Sequence, residues 1–313
     1  MSSPSSPKRR CGSGIRNWTE LPEDVTASIL SRLGTIDILE TAQKVCTTWY
    51  KICKDPLMWR TIDLRYDDFP KVYDLGKMCR YAVDRSCGNL VTINLDFFGT
   101  DELLKYITDS SSGIRCLRLV HCDITDEGLS AVSSRLPLLE DLEISQCSLS
   151  HETLEVVGAS CPLLKSLKVN SRWYSLAHEE CNKHALAIAD KMHDLRHLQI
   201  FANKLNNDGL QAILDCCPLL ESLDLRQCYN LNLEEVWRND WLNELNYCGS
   251  LMIPPMTMSS MLRLSHMDQM MLKKFWMRNC SWNMMMIIMV ISSPGMMSSM
   301  TLGISITFCE TGI

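Results

Sequence analysis

Apolar residues recur every three or four positions in two successive segments near the N-terminus. In the first, LPEDVTASILSRL, Val25, Ile29 and Leu33 fall four apart, and Pro22 stands where a helix can begin. In the second, the same spacing runs through Ile38, Leu39, Ala42, Val45, Cys46, Trp49, Ile52 and Cys53. The Asp55-Pro56 pair then disfavours further helix. We therefore predict a helix after Pro22 and a second, continuous helix from 38 to 53.

A different pattern begins further along the chain, where short apolar segments repeat at nearly constant intervals. The segments are IRCLRLVHC from 114, LEDLEISQC from 139, LKSLKVNSR from 164, LRHLQIFAN from 195 and LESLDLRQC from 220. LVTINLDFF from 90 fits less regularly. Each opens L-x-x-L-x-L with Ile or Val as substitutes, and four carry Cys or Asn at the ninth position, namely Cys122, Cys147, Asn203 and Cys228. The pattern indicates a repeat architecture.

This repeat is the leucine-rich-repeat signature, and its physics predicts the fold. Alternation along a short strand places residues such as Leu117 and Leu119 on one side, and the Cys or Asn turns inward at the bend. A returning helix then carries Leu129, Leu154, Leu186 or Leu210 into a core shared by neighbouring repeats. We predict an α/β solenoid with a parallel sheet on the concave face.

Apolar motifs at fixed spacing occupy the segment before the repeats. They are Leu21-Pro22, Ile29-Leu30-x-x-Leu33, Asp37-Ile38, Val45-Cys46-x-x-Trp49 and Leu57-x-Trp59. This order resembles the F-box, a small helical module that docks on the Skp-type adaptor of SCF ubiquitin ligases, and the whole chain resembles plant F-box/LRR proteins. The resemblance implies an adaptor contact, and through the adaptor a cullin. The implied contact residues are Leu21, Pro22, Ile29, Leu30, Leu33, Val45 and Trp49, with Trp59 fixing the module to the repeats.

The patterns divide the chain into four parts. Residues 1–16 form a polar leader that we expect to be disordered, 17–64 the F-box-like module and 65–246 the repeats with a C-terminal cap. Residues 247–313 form a methionine-rich tail that we also expect to be disordered. Trp237 and Trp241 are the last residues assigned to the cap. An alternative interpretation makes the apolar helical residues the ordinary core of a helical cap.

Residues that alternate with the core leucines should face outward from the sheet. One row holds Arg118, Glu143, Lys168, Gln199 and Asp224, and the next holds Val120, Ser145, Asn170, Phe201 and Arg226. These rows either pair charges between strands and only solvate the sheet, or form a target-binding platform with Phe201 as an apolar anchor. The candidate target-binding residues are Arg118, Glu143, Lys168, Gln199, Phe201, Asp224 and Arg226.

Composition argues against most catalytic and nucleic-acid functions. The net charge is −6, which offers no broad basic surface for phosphates. The sixteen cysteines accompany no apolar leader and mostly occupy repeat positions, so we expect free, buried thiols. His178, Cys181 and His184 share a helical face in HEECNKH, and His193 and His197 lie four apart, but the two groups belong to different elements. We expect no metal, no cofactor and no catalysis, although the resemblance leaves a small ligand open.

The tail is unusual in composition. Fifteen of the nineteen methionines lie between 252 and 300, and no charged residue occurs from Asn283 to Cys309. A membrane anchor would need an unbroken apolar span, but Ser292-Ser293-Pro294-Gly295 interrupts this one. We favour the hypothesis that the tail is translated out of frame, since GAT codons read one nucleotide later give ATG. Membrane association is therefore not expected.

The sequence supports three functional hypotheses. The first is a substrate-recognition subunit of an SCF-type ligase, whose F-box binds the adaptor and whose concave face binds a target protein. The others are a leucine-rich scaffold or inhibitor outside any ligase, and a tail-anchored membrane receptor. We expect a nuclear or cytoplasmic location, and KRR at 8–10 is a candidate nuclear signal. Surface residues that no motif fixes leave the target unnamed.

Overall fold

The N-terminal part of the protein is helical. The computed structural model describes residues 21–65, 73–170, 182–228 and 230–232, and the backbone of 250–252. Its first elements are α1 (Glu23–Leu30), α2 (Thr35–Glu40), a 3-10 turn (Ala42–Lys44), α3 (Thr47–Ile52) and a second 3-10 turn (Pro56–Trp59). Pro22 stands before α1 and two acidic residues occupy its first turn, as the helix dipole favours.

The second predicted helix is not continuous. Thr41 departs from helical geometry at φ −122°, and Cys46 is extended at φ −159°. The Cys46 sulfur accepts a hydrogen bond from the Trp49 backbone N–H at 3.5 Å, so Cys46 caps a new helix. The apolar residues remain on roughly the same side across these breaks, because a 3-10 turn also brings residues three positions apart onto one face. The prediction of one helix from 38 to 53 was therefore wrong, although several of its apolar positions do reach the core.

Within the part of the chain that the structure describes, eight parallel strands form one sheet. They are β1 (Thr61–Leu64), β2 (Thr92–Asp96), β3 (Cys116–Val120), β4 (Asp141–Ser145), β5 (Ser166–Asn170), β6 (His197–Phe201), β7 (Ser222–Asp224) and β8 (Ser250–Met252). The spatial order is the sequence order, so every strand pairs with the next along the chain. This arrangement confirms the predicted solenoid with a parallel sheet.

Helices connect the strands in the described part of the chain. They are α4 (Leu75–Ser86), α5 (Asp101–Ser110), α6 (Asp126–Ser133), α7 (His151–Ser160), α8 (Lys183–Lys191) and α9 (Asn207–Cys216). Several begin at side chains that accept a backbone N–H: Thr100 from Leu103, Thr125 from Gly128, and Asn206 from Gly209. These caps fix where each helix starts relative to the strand before it.

The core lies between the sheet and the helices. The paired residues Leu117, Leu142, Leu167 and Leu198 are buried in register, as are Leu119, Ile144, Val169 and Ile200. On the helices, Leu129, Leu154 and Leu210 are buried as predicted. Leu186 is instead 53% exposed, and Ala185 and Ile188 fill its expected place. The repeat that begins at 164 is longer than its neighbours, with 31 residues to the next start instead of 25, so the leucine spacing did not align α8 with the other helices.

The chain leaves several strands through a residue with left-handed backbone geometry. Phe97, His121, Gln146, Ala202 and Gln227 all have φ between 50° and 67°. The first four donate their backbone N–H to a carbonyl of the next repeat, at 2.8 to 3.1 Å. Non-glycine residues pay roughly 1–2 kcal/mol for this conformation. The recurring hydrogen bond offsets that cost and extends the ladder beyond the strand.

At three of the predicted ninth positions the next residue is buried, namely Cys122, Asn203 and Cys228, whereas Cys147 is half-buried. The Cys122 and Cys228 thiols are buried and donate to the carbonyls of Leu95 and Ile200 in the preceding repeat, at 3.5 and 3.0 Å. The Asn203 side chain accepts the backbone N–H of Leu205 at 3.0 Å. Each inward side chain therefore satisfies backbone groups at the bend, where the sheet ladder cannot.

Polar side chains also join the start of one helix to the next. The Asp101 carboxylate accepts the backbone N–H of Thr125 at 2.9 Å and its hydroxyl at 2.6 Å. Asp126 accepts the Ser150 N–H at 2.8 Å, and Asn182 accepts the Asn206 N–H at 3.0 Å. These bonds hold neighbouring repeats in register along the edge where the strands end.

The sheet begins earlier in the chain than the regular repeats from 114 indicated. β1 falls inside the predicted F-box-like segment. The irregular segment from 90 contains β2, which is a strand of the same sheet. α4 was not predicted, although its buried residues Cys79, Ala82, Val83 and Ser86 recur at helical spacing. β8 pairs with β7 although it lies within the 247–313 tail. Residues 1–16, Trp237, Trp241 and the tail beyond 252 lie outside the described residues.

A glycine on α6 makes the contact between helix starts possible. A Cβ at Gly128 would lie 1.9 Å from Asp101 Oδ1, whereas a Cβ at Gly76 on α4 would meet only Asp74 Oδ1 at an ordinary 3.5 Å. Gly128→Ala should therefore displace Asp101 and lower the free energy of unfolding by about 1–3 kcal/mol. Gly76→Ala should be neutral or stabilise by up to about 1 kcal/mol. Urea unfolding of both variants checks this, and equal effects would contradict it.

Candidate functional site

An exposed apolar surface covers the N-terminal helices. Val25, Ile29, Leu33 and Val45 are each between 38% and 51% exposed. Only Thr26 and Leu30 of α1 are buried, so one narrow stripe of this helix meets the core and the remaining apolar side chains face outward. Contiguous exposed apolar residues on a folded protein commonly mark a binding surface.

The predicted adaptor-contact residues divide into three groups. Pro22, Ile29, Leu33 and Val45 are exposed and available for contact. Leu21 and Trp49 are half-buried, and Trp49 packs against the core. Leu30 is 0% exposed and lies beneath the surface as part of the core. Val25, Tyr50 and Leu57 are also exposed apolar side chains, and the sequence motifs did not identify them as contacts.

Trp59 and Arg85 join the helical module to the solenoid. The buried Trp59 indole N–H donates to the Cys53 carbonyl at 2.9 Å, and Arg85 on α4 donates to the same oxygen at 3.2 Å. The Arg85 guanidinium also lies over the Trp59 ring and donates to the Tyr81 hydroxyl. Across the same junction, Asp63 of β1 donates its backbone N–H to the Thr35 hydroxyl at 2.9 Å. These contacts agree with the expectation that Trp59 fixes the module to the repeats.

The first outward row of the sheet exists as predicted. Pairing places Arg118, Glu143, Lys168, Gln199 and Asp224 side by side across five strands. Glu143 Oε2 lies 3.1 Å from Arg118 Nε and 3.5 Å from Lys168 Nζ. Arg118 Nε donates no well-directed hydrogen bond to a described residue, so its contact with Glu143 is ionic. Two cations share one carboxylate, which leaves a net positive charge at the centre of the row.

The second outward row is only partly open. Asn170 donates to the Ser145 hydroxyl at 2.8 Å and accepts from the Gln199 amide at 3.1 Å, forming a polar chain across three strands. Val120 and Ser145 are buried rather than facing solvent. The accessible part of this row is therefore Asn170, Phe201 and Arg226.

The C-terminal end of the two outward rows, at Asp224 and Arg226, is not the open platform that we expected. Asp224 is only 4% exposed, and the Arg226 backbone N–H and guanidinium donate four hydrogen bonds of 2.8 to 3.2 Å to its carboxylate. The same guanidinium lies 5.9 Å from the Phe201 ring centroid, and Phe201 is half-buried. Asp224 thus orients Arg226, and its own side chain has little accessible surface for contact with a partner. The hydrogen bonds to Asp224 raise the pKa of Arg226, so this cation is permanent.

Several buried cysteines form no disulfide and are poorly suited to nucleophilic chemistry. Burial raises the pKa of the Cys79 and Cys228 thiols to about 12, and that of Cys161 and Cys217 to about 11. A thiol protonated at neutral pH is a weak nucleophile. Cys87, in contrast, is exposed at the end of α4.

The described histidines show no metal site. Within residues the structure describes, no group of three His, Cys, Asp or Glu side chains could hold an ion. His184 Nε2 lies 3.4 Å from the Leu149 carbonyl, and burial lowers its pKa. His193 Nδ1 lies 3.0 Å from the Cys216 carbonyl, in another repeat. His178 and Cys181 lie outside the described residues, so the HEECNKH hypothesis is not tested as a whole.

The described helices are short compared with a membrane span. No helix among those residues is long and apolar enough to span a bilayer. The uncharged stretch from 283 to 309 lies outside them.

The helical module with its exposed apolar surface, joined to a leucine-rich solenoid, defines a class of repeat-based binding proteins. Residues 18–65 match the F-box-like family model, and 112–133 and 191–214 match the Leucine Rich repeat model. F-box protein SKIP19 of Arabidopsis thaliana is 51% identical over 238 residues, covering 74% of this chain and 77% of that protein. The chain belongs to the plant F-box/LRR-repeat family.

Two further comparisons describe how far the likeness extends. Putative F-box/LRR-repeat protein 23 of Arabidopsis thaliana is 51% identical over 223 residues, and the match covers 70% of this chain but 50% of that protein. The chain thus spans about half the length of this relative. Among solved structures, a chain of the yeast Rad7 and Elc1 complex resembles 74% of this chain and is covered over 83% of its own length, with 13% identity and a TM-score of 0.39.

Thiol accessibility provides a direct test of the cysteine environments. In the native protein at pH 8, iodoacetamide should label Cys87 quickly, whereas Cys79 and Cys228 should react only after unfolding. A pKa of about 12 leaves about one thiolate in ten thousand at that pH, and burial also blocks the reagent. Peptide mapping by mass spectrometry measures each site. Native labelling of Cys79 at the rate of Cys87 would contradict the buried placement.

Neighbouring residues of α1 should respond differently to truncation. Leu30→Ala should lower the free energy of unfolding by about 2–5 kcal/mol, because it opens a cavity in the core. Ile29→Ala removes a side chain that is 38% exposed and should cost less than about 1 kcal/mol. Urea titration of the two variants measures the difference. Similar losses would mean that the exposed apolar surface is structural.

Proposed function

We propose that the chain is the substrate-recognition subunit of an SCF-type ubiquitin ligase. The observation that carries this proposal is the exposed apolar surface formed by Ile29, Leu33 and Val45 within the segment that matches an F-box. A folded domain gains little by keeping these side chains in water unless a partner covers them. A Skp-type adaptor is the partner this family relationship supports, and the adaptor in turn would connect the chain to a cullin.

The solenoid would supply the target-binding half. The outward rows of the sheet present fixed polar and charged groups, including Arg118, Lys168 and the paired Asp224 and Arg226. Mixed charge at fixed spacing gives a protein surface specificity for one complementary partner. Arg118, Glu143, Lys168, Gln199, Phe201 and Arg226 remain the candidate contacts, with Asp224 acting through Arg226.

The mechanism requires no bond making by this chain. Binding an adaptor at one end and a target at the other raises the effective concentration of target lysines near the ubiquitin-carrying enzyme. The raised pKa of the buried thiols agrees with a non-catalytic role. The contacts of Arg85 with Cys53, Trp59 and Tyr81 would keep the two binding surfaces in a constant relative orientation.

Adaptor binding can be tested with variants that spare the core. Ile29→Asp combined with Val45→Asp places two charges on the exposed surface and should weaken binding to a purified Skp-type adaptor by roughly 30-fold or more. Val156→Asp, on an equally exposed position of α7, should bind as the parent does. Co-purification and titration calorimetry measure the binding, and thermal unfolding checks that each variant is folded. A folded parent that binds no adaptor would refute the ligase assignment.

A further inference from the structure

Two thiols of neighbouring repeats lie together where β3 and β4 end. Cys122 and Cys147 hold the same ninth position in their repeats, and just before them Val120 of β3 pairs with Ser145 of β4. The ladder continues past the strands, since the His121 backbone N–H donates to the Ser145 carbonyl at 2.9 Å. The backbones of the two cysteines are therefore separated by one strand spacing, which is roughly 5 Å.

The two sulfur atoms converge on the same strand end. Cys122 Sγ lies 3.3 Å from the Val120 carbonyl oxygen, and Cys147 Sγ lies 3.6 Å from the carbonyl oxygen of Leu119, the residue before it. The hydrogen bond between the two thiols, together with burial, raises the pKa of Cys122. Disulfides join residues whose Cα atoms lie about 4.4–6.8 Å apart. One strand spacing falls within that range, so a bond between these sulfurs needs little backbone movement.

The fold does not require two adjacent thiols at the bend. Cys228 also holds a ninth position, but the neighbouring bend before it carries Asn203, whose side chain accepts the Leu205 backbone N–H. In the repeat before Cys122, the ninth residue is Phe98. Asparagine and an aromatic residue thus fill the same position elsewhere, and the structure carries the thiol pair as an addition to the repeat.

The two thiols differ in access and in reactivity. Cys122 is only 3% exposed, whereas Cys147 is half-buried, so a soluble reagent reaches Cys147 first. Thiols react with oxidants as thiolates, and the raised pKa of Cys122 makes it a poor first nucleophile. Cys122 nevertheless lies in contact with any adduct that forms on the Cys147 sulfur. Such a pair has one thiol that reacts and a second that resolves the product.

We propose that Cys122 and Cys147 form a redox-active pair, which small disulfides such as oxidised glutathione convert to a disulfide bond across the ends of β3 and β4. The Cys147 thiolate attacks one glutathione sulfur, forming a mixed disulfide and releasing one glutathione. Cys122 then attacks the Cys147 sulfur, forming the protein disulfide and releasing the second glutathione. Each glutathione leaves with one proton lost by the cysteines. The pair loses two electrons, which reduce the oxidised glutathione.

Oxidation would change which repeats are tied at this bend. The Cys122 thiol donates to the Leu95 carbonyl of β2 at 3.5 Å, and the disulfide removes that donor while it links Cys122 covalently to the repeat of β4. The bond lies directly beside His121 and Gln146, at the edge of the outward rows of the sheet. The redox state of the pair would therefore alter the restraint on that edge. This proposal does not depend on the ligase assignment.

Oxidation of the native chain tests the pair directly. The full chain is incubated with oxidised glutathione at pH 8, quenched with acid, alkylated after unfolding and mapped by mass spectrometry. We expect peptides joined through Cys122 and Cys147, lighter by the two hydrogen atoms lost and separated again by dithiothreitol. Cys79 and Cys228 should remain reduced in the same samples, because both are fully buried.

Serine variants distinguish the roles of the two thiols. Cys122→Ser removes the resolving thiol, so the reaction should stop at a mixed disulfide between Cys147 and glutathione. Cys147→Ser should leave Cys122 unmodified over the same time, because Cys122 is buried. Cys87→Ser removes an exposed thiol as a matched control and should leave formation of the Cys122–Cys147 bond unchanged. Thermal unfolding checks that each variant is folded.

The parent protein alone keeps the proposal falsifiable if a variant fails to fold. In the native chain nearly all disulfide-bonded Cys147 should be joined to Cys122, whereas in urea the same oxidation should distribute Cys147 among several cysteines. The same distribution in both conditions would overturn the proposal. So would a native parent that forms no Cys122–Cys147 bond, or one in which Cys147 remains joined to glutathione.

Discussion

The pairing of β1 with β2 is the constraint on which the rest of the molecule depends. β1 begins just after the buried Trp59, so the strand that begins the sheet is covalently continuous with the helical module. A parallel sheet edge left open would expose unpaired backbone groups and apolar side chains. The helices before β1 cover that edge, partly through the Thr35 hydroxyl that binds the Asp63 backbone. The module therefore acts as the N-terminal cap of the solenoid.

The cap also fixes the orientation of the helical module relative to the repeats. Arg85 reaches from α4 to the Cys53 carbonyl, where the Trp59 indole also donates. These groups are part of the core boundary, so moving the module relative to the repeats would break several buried contacts together. Two surfaces held on one rigid body suit a protein whose proposed role is to bring two partners to a fixed separation.

Repetition explains which parts of the solenoid can vary. Every regular repeat must bury its strand leucines, turn through a left-handed residue and bring one small polar or thiol group inward at the bend. Those positions meet neighbouring repeats above and below, so a change in one disturbs three units. The outward rows and the residues at the turns meet solvent on one side. Side chains there can vary more, since Phe97, His121, Gln146 and Ala202 all adopt the same left-handed turn.

The sequence by itself determined the repeating core. Strand alternation and leucine spacing are local properties, and the same pattern recurs along the repeats. It correctly indicated the parallel sheet, the register of Arg118 with Glu143 and Lys168, and the inward thiols of Cys122 and Cys228. Only the tertiary structure decided that Ile29 is exposed while Leu30 is buried, that Asp224 is covered, and that Leu186 faces solvent. Spacing along one element cannot decide exposure, because exposure depends on which other elements pack against it. The same reason applies to the Phe97 and His121 pair, whose members belong to different repeats and stack only because β2 and β3 are neighbours.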